Sequence, residues 1–273
     1  MNIRKLGDEK PTILIFNGSP RRLKSCANQV SKTQKLIDWT IDKWMPFINF
    51  EYIDLSVGKV NIQPCKGCIS TSNGFHCHWQ CSCFEKGSKT KPDLMYESDI
   101  YTKLENCDGF IVVSPIHWYS VSTQVKAMFD RLVCANQTIT KEQAEEIFGV
   151  GNIKNSEVTG QTELQEEYKH LLKNHLEGKW AAFFVHGDDG ANDFDGNPPY
   201  TGDKEWDVRN SVMPLVHQVR YSGMNCPDDL VEAFYVNKGK PYYQANMDFE
   251  ETNEFFERMD DLIERLLDYI KIR

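Results

Sequence analysis

Five cysteines and two histidines fall within the 19 positions from Cys65 to Cys83. Cys65-Lys-Gly-Cys68 forms a Cys-x-x-Cys pair, and Cys77, Cys81 and Cys83 follow, with His76 and His78 on either side of Cys77. Thiolate and imidazole are ligands for zinc or for an iron–sulfur cluster. Cys65, Cys68, Cys77 and Cys81 are the candidate ligands. The first pair has the spacing of a metal half-site, whereas Cys-x3-Cys-x-Cys is not the second half of a zinc ribbon. A redox-active disulfide is a second reading, because Cys-x-x-Cys near a strand–helix pattern can carry thiol chemistry. A third is a loop of unligated thiols. Cys26, Cys107, Cys134 and Cys226 lie near helices or strand edges and are read as packing residues.

A different chemistry is written at Gly18-Ser-Pro-Arg-Arg-Leu-Lys-Ser25. Gly18 permits a tight departure from the apolar run before it. Ser19 and Ser25 offer hydroxyls, Arg21 a forked cation, and the next helix its free N–H groups. That combination suits a phosphate, although an ordinary polar turn with a serine cap has the same composition. Neither a dinucleotide G-x-G-x-x-G nor a P-loop Gly-Lys-Ser/Thr ending is present. Further along, Ser114-Pro-Ile-His-Trp-Tyr-Ser120 and His186-Gly-Asp-Asp-Gly190 each follow an apolar run. Trp118 or Tyr119 could offer a flat contact, and Gly187 a close backbone approach.

These loops need a scaffold. Thr12 to Phe16, Phe50 to Leu55, Gly109 to Val113, Trp180 to Val185 and Leu230 to Val236 read as strands. Helical spacing predicts helices over Asn28 to Trp44, Val121 to Ala135 and Trp206 to Tyr221, the last bent at Pro214. The stripe Phe255, Phe256, Met259, Leu262, Ile263, Leu266, Leu267 and Ile270 predicts a helix packed on a sheet. Strands alternating with helices predict an α/β fold, a five-stranded parallel doubly wound sheet with helices on both faces. The whole chain, 1–273, is expected to be one domain, with insertions at about 60–92, the cysteine-rich stretch, and 136–178. In such sheets ligands bind beyond the carboxyl ends of the strands, where all three loops fall. The cysteine segment follows the second strand, so it is expected near that edge too.

The second loop and the helix behind it carry a resemblance. Ser114 to Ser120, followed by Ser122, Lys126, Asp130 and Arg131, resembles the NADPH-dependent FMN reductase family of flavodoxin-like proteins. There a Ser-Pro-(Ile/Val)-Tyr-Trp loop precedes a Ser-x-x-x-Lys-x-x-x-Asp-Arg helix. Gly18-Ser-Pro-Arg21 matches as well, and His117-Trp118 stands where Tyr-Trp is more usual. The resemblance implies a flavodoxin-like fold, bound FMN, and NAD(P)H as co-substrate. It implies flavin contacts from Ser114, Pro115, Ile116, His117 and Trp118, and from the loop of Gly187 and Asp188, with Ser19, Arg21 and Ser25 at the phosphate. The implied activity is hydride transfer from NAD(P)H to FMN and on to a quinone, a flavin, an aromatic compound or a metal ion. No side chain is needed as an acid for hydride transfer, so no catalytic residue is named. A Pro-Cys-x-Gly-Cys segment is also similar to one in iron–sulfur flavoproteins, but Thr71 stands where their third cysteine falls. The alternative function is thus an electron-transfer flavoprotein with a metal or cluster in Cys65–Cys83.

Composition narrows the partners. The formal charge is −9 and no basic stripe is present, which argues against nucleic acid. No apolar run reaches the roughly 18 residues that cross a bilayer, and Met1 to Lys10 is polar, without a secretion signal. The expectation is a cytoplasmic protein with reduced thiols, a homodimer or homotetramer, acting on a small-molecule acceptor.

Overall fold

The computed structural model describes residues 10–21, 28–56, 58, 60–72, 75–85, 92–149, 161–187, 208–235 and 253–271. Each apolar run becomes a strand: β1 (Thr12–Asn17), β2 (Asn49–Asp54), β3 (Gly109–His117), β5 (Trp180–Gly187) and β6 (Val231–Tyr235). They pair in parallel in the order β2-β1-β3-β5-β6. A two-residue strand, β4 (Ser120–Val121), folds back antiparallel on the end of β3, an addition to the expected five. The main helices are α1 (Lys32–Trp44), α2 (Ile100–Asn106), α3 (Thr123–Arg131), α4 (Lys141–Phe148), α5 (Met213–Tyr221) and α6 (Glu254–Lys271).

Alternation along the central strands splits the core into two layers. Ile13, Ile15, Ile111, Val113, Ala182 and Phe184 point to one face, covered by α1 and α6 through Leu36, Ile37, Phe255, Met259, Leu262, Ile263 and Leu266. Leu14, Phe16, Phe110, Val112, Ala181, Phe183 and Val185 point to the other, covered by α2, α3 and α5. The sheet is therefore doubly wound, a flavodoxin-like arrangement. Gly109 lets β3 start against β5, since a Cβ there would lie 2.7 Å from the Trp180 carbonyl.

Several expected helix limits shift, α1 starting at Lys32 rather than Asn28. Val121 belongs to β4, and Ser122 caps α3 by accepting from the Val125 N–H at 3.4 Å. The turn Leu132–Ala135 continues as a 3-10 helix. Pro214 sits in the first turn of α5 rather than bending it, where its missing N–H is no loss.

The two stretches outside the strand–helix alternation meet each other. Trp79, buried, bridges to Thr140: its N–H donates to the Ile139 carbonyl at 2.8 Å, and its own carbonyl accepts from Lys141 at 2.6 Å. Its indole N–H donates to Glu105. Phe75, Ile139 and Ala144 form a small separate core, and Thr140 opens α4 with a capping box to Gln143.

Candidate functional site

The carboxyl edge of β1 is set by one side-chain network. Asn17 Nδ2 donates to Gln34 Oε1 at 2.8 Å and to the Tyr52 hydroxyl at 3.0 Å. Its Oδ1 accepts from the Ser19 N–H at 3.0 Å, an Asx turn that folds the chain over the strand end. Gly18 donates to the Val113 carbonyl at 2.7 Å. A Cβ on Gly18 would lie 2.7 Å from Val125 Cγ2 and 2.8 Å from Ser114 Cβ, so the loop fits only without a side chain there. Ser19 and Ser114 are buried. Arg21 is exposed, and Ser25 lies outside the described residues.

The first turn of α1 faces the same edge. Ser31 stands at its N-cap without a side-chain capping bond, so the dipole's positive end is not closed by its own cap. Thr33 Oγ1 bonds His186 Nε2 at 2.9 Å, tying α1 to the end of β5. Burial, then the charges of Lys32 and Arg21, push His186 down to about 3, so it is neutral near pH 7. His117, partly covered and also near Arg21, is held below the ordinary histidine range.

Gly187 closes the third side. A Cβ there would lie 2.8 Å from Ile116 Cβ, so the two strand ends touch. Pro115 pairs with His186 across the sheet. His117 and Ser120 pair across the β3–β4 hairpin, leaving Trp118 and Tyr119 as its two-residue turn. Both have left-handed backbone, φ 50° and 65°, as a type I′ turn demands. Asn and Gly usually fill such positions, so Trp and Tyr are strained. Trp118 is 93% exposed. A large aromatic held out in a strained turn, beside small and polar strand ends, is a surface suited to a planar ligand. Asp188 lies outside the described residues.

The residues from Asn17 to Arg21 and from Ser114 to Arg131 sit inside the segment, residues 11–154, that matches the family model for NADPH-dependent FMN reductase. The chain belongs to that family. It is accordingly an NAD(P)H-dependent FMN oxidoreductase, a flavoprotein. Among solved structures, this FMN reductase is similar to RosB bound to 8-demethyl-8-formylriboflavin-5'-phosphate, with 14% identity, 96% of this chain and 79% of that chain covered, and a TM-score of 0.51. It is also similar to an FMN-dependent NADH-azoreductase from Bacillus anthracis in complex with FMN, with 13% identity, 93% and 99% coverage and a TM-score of 0.46. No curated protein sequence matches it. Among the described residues of this family member, no helix is long and apolar enough to cross a membrane.

The cysteines gather elsewhere. Cys65, Cys68, Cys77 and Cys81 line one small cavity of about 10 Å³ with Cys83, Cys134, Lys66, Val133 and Arg131. That is about the room of one water-sized centre. Among the described residues no three His, Cys, Asp or Glu side chains converge as ligands of one metal ion, so the zinc or iron–sulfur expectation gains no support. The flanking histidines have other partners as well. His76 stacks on Phe148 at 4.3 Å, and His78 bonds the His76 carbonyl at 2.8 Å and Ser82 Oγ at 2.9 Å. Cys134, read as packing, is a cavity wall. Arg131 ends α3, roughly 12 Å along the helix from Thr123 at a rise of 1.5 Å per residue.

Arg131 itself was legible only as the end of the Ser-x-x-x-Lys-x-x-x-Asp-Arg helix pattern; the structure buries it. Its Nη1 donates to Asp93 Oδ2 at 2.6 Å, and its Nη2 to the Tyr101 hydroxyl at 3.2 Å and the Tyr96 hydroxyl at 3.3 Å. Its buried Nε has no hydrogen-bond partner. The Cys83 thiol and backbone N–H both donate to Cys81, and with Arg131 and His78 nearby they push Cys81 down to about 5 against the effect of burial. Cys83, the donor in that pair, is held far above the ordinary thiol range.

Proposed function

We propose that FMN lies along the carboxyl edge of β1, β3 and β5, with its phosphate at Ser19, Arg21 and the first turn of α1. Ser114, Pro115, Ile116, His117, Trp118 and Gly187 would border the ring. The observation that carries this reading is the meeting, at one edge, of a loop that admits only glycine at position 18, a helix start whose N-cap Ser31 makes no side-chain capping bond, and an exposed cation on a chain of net charge −9. The donor set fits a phosphate dianion. FMN, when bound, supplies the two-electron chemistry that links a reduced nicotinamide to an acceptor. The chain's own residues bind and orient. Neutral His186 holds α1 to β5 without adding charge, and Gly187 keeps the floor under Ile116 flat.

The acceptor is read as a small molecule with a planar face, a quinone, a free flavin or an aromatic compound, before a metal ion. Support comes from Trp118 and Tyr119, which stand exposed at the hairpin tip. The chain works as one domain, with the stretches at 60–92 and 136–178 as additions to it.

Arg21→Ala should weaken FMN at least about tenfold, because a charge-assisted contact contributes on the order of 1.5–3 kcal/mol. Riboflavin, which lacks the phosphate, should lose far less. Titration of both ligands against both proteins tests this, and equal losses would place Arg21 away from the phosphate.

A further inference from the structure

Asn17 ends β1, is almost wholly buried, and spends both polar atoms of its side chain inside the protein. Its Oδ1 accepts from the Ser19 N–H at 3.0 Å. Its Nδ2 donates to Gln34 Oε1 at 2.8 Å and to the Tyr52 hydroxyl at 3.0 Å. Tyr52 in turn donates to the same Gln34 oxygen at 2.8 Å, and Gln34 Nε2 donates to Asp38 Oδ1 at 2.7 Å. This chain of bonds has one direction. A carboxylate only accepts, so Asp38 draws the Gln34 nitrogen toward itself and leaves the Gln34 oxygen for Asn17. Asn17 must then present its nitrogen to Gln34 and its oxygen to Ser19. Turned the other way, its amide would set acceptor against acceptor at Gln34 and donor against donor at Ser19. Burial holds the Tyr52 hydroxyl above the ordinary tyrosine range, so it keeps the proton it donates.

The same network ties the loop to a helix start. Thr33 and Gln34 are neighbours in the first turn of α1. Thr33 bonds His186 at the end of β5, and Gln34 bonds Asn17 on β1 and Tyr52 on β2. Two successive side chains thus pin the start of α1 to three strands. The N–H groups of Gly18 and Ser19 are both spent within the protein, on the Val113 carbonyl and on Asn17. The loop therefore meets a ligand through the Ser19 hydroxyl and Arg21, and its spacing from α1 decides whether loop and helix start reach one phosphate.

We propose that Asn17 is a positioning residue for FMN, holding the loop Gly18–Arg21 at a fixed spacing from the start of α1 and so setting the preference for FMN over riboflavin. This rests on the phosphate lying at that loop. Asn17 acts through Ser19, and the side chains of Gln34 and Tyr52 act through Asn17.

The experiment titrates FMN and riboflavin into the full-length protein freed of flavin, in wild type and in Asn17→Ala, Gln34→Leu and Tyr52→Phe. Riboflavin reports the ring site and the integrity of the fold; the ratio of the two affinities reports the phosphate. Asn17→Ala and Gln34→Leu should each lower the FMN-to-riboflavin ratio about tenfold, and Tyr52→Phe, which leaves the Asn17–Gln34 bond, about threefold. Equal weakening of both ligands by Asn17→Ala would make its role a general structural one and overturn the proposal, as would an unchanged ratio in Gln34→Leu. If Asn17→Ala does not fold, Tyr52→Phe decides, since Tyr52 is 38% exposed, and there too an unchanged ratio overturns it. Arg21→Ala separates the two levels. Equal losses of both ligands in that variant would remove the phosphate from this edge and the proposal with it. A split between the ligands in Arg21→Ala but none in Asn17→Ala would leave the phosphate in place and overturn the role of Asn17 alone.

Discussion

Asp93→Ala should destabilise the protein by about 3–5 kcal/mol, the cost of leaving one member of a buried ion pair without its partner. For a chain of this size that lowers the melting temperature by on the order of 10 °C. Both side chains are almost wholly inaccessible, at 1% for Arg131 and 0% for Asp93. Asp93 also accepts from the N–H groups of Gln63 at 3.1 Å and Met95 at 3.0 Å, so it fastens the strand-like stretch at Gln63 and starts the turn Leu94–Glu97. Removing it leaves the cation with hydrogen bonds to the Gln63 carbonyl and two tyrosine hydroxyls, all neutral acceptors. Arg131→Met should also destabilise, by leaving a buried carboxylate. The double variant should lose clearly less than the two single losses added, because each group is costly mainly without the other. Denaturant unfolding of the four proteins completes the cycle, and additive losses would mean the pair is not coupled.

Stability should also fall with acid through His186. Its folded value near 3 lies below the ordinary histidine value of about 6.5. The unfolded chain therefore binds a proton first as pH drops. The contribution is complete above about pH 6.5 and is lost progressively as pH falls toward 3, at about 1.4 kcal/mol per pH unit in that window. Charging it in place would set a cation beside Lys32 and Arg21 and against the Phe255 ring, 5.4 Å away. Carboxylates add their own acid response, so the informative quantity is the difference between wild type and His186→Gln. That difference should be flat above pH 7 and should shift by about 2–3 kcal/mol in favour of the variant between pH 6.5 and 4.5. Parallel curves would show that His186 gains its proton without disturbing the fold.

The scaffold was readable because each core strand is buried on both faces and therefore written as a continuous apolar run. Thr12 to Phe16 and Gly109 to Val113 announce themselves in this way. The helix at Glu254–Lys271 was legible from its stripe for the same reason: burial repeats with the helical period. The phosphate loop was visible from Gly18, Ser19 and Arg21, whose types are rare in that order without a turn to serve. Its anchors were not. Gln34 and Tyr52 reach Asn17 from α1 and β2, and nothing local marks a side chain that acts across 17 or 35 positions. The Asn17 to Ser19 Asx turn was the available signal. The hairpin at Trp118-Tyr119 was hidden because its turn lacks the Asn-Gly that normally signals one. Burial of Arg131 was hidden by its neighbours: Lys126 and Asp130 pair on the exposed face of the same helix, and only the register turns Arg131 inward. The cysteines were conspicuous, but composition says which atoms are present, not whether they converge.

Trp79 makes the stretches at 60–92 and 136–178 interdependent. Its main chain pairs with the start of α4, its indole reaches Glu105 on α2, and its ring lies flat on His175 at 5.6 Å. Neither stretch can be trimmed alone without baring the other's apolar side. A shortened version of this protein must therefore drop both together, and a transplant of the thiol loop onto a plainer flavodoxin-like scaffold must carry α4 with it. The two stretches behave as one unit contributed from two places in the chain.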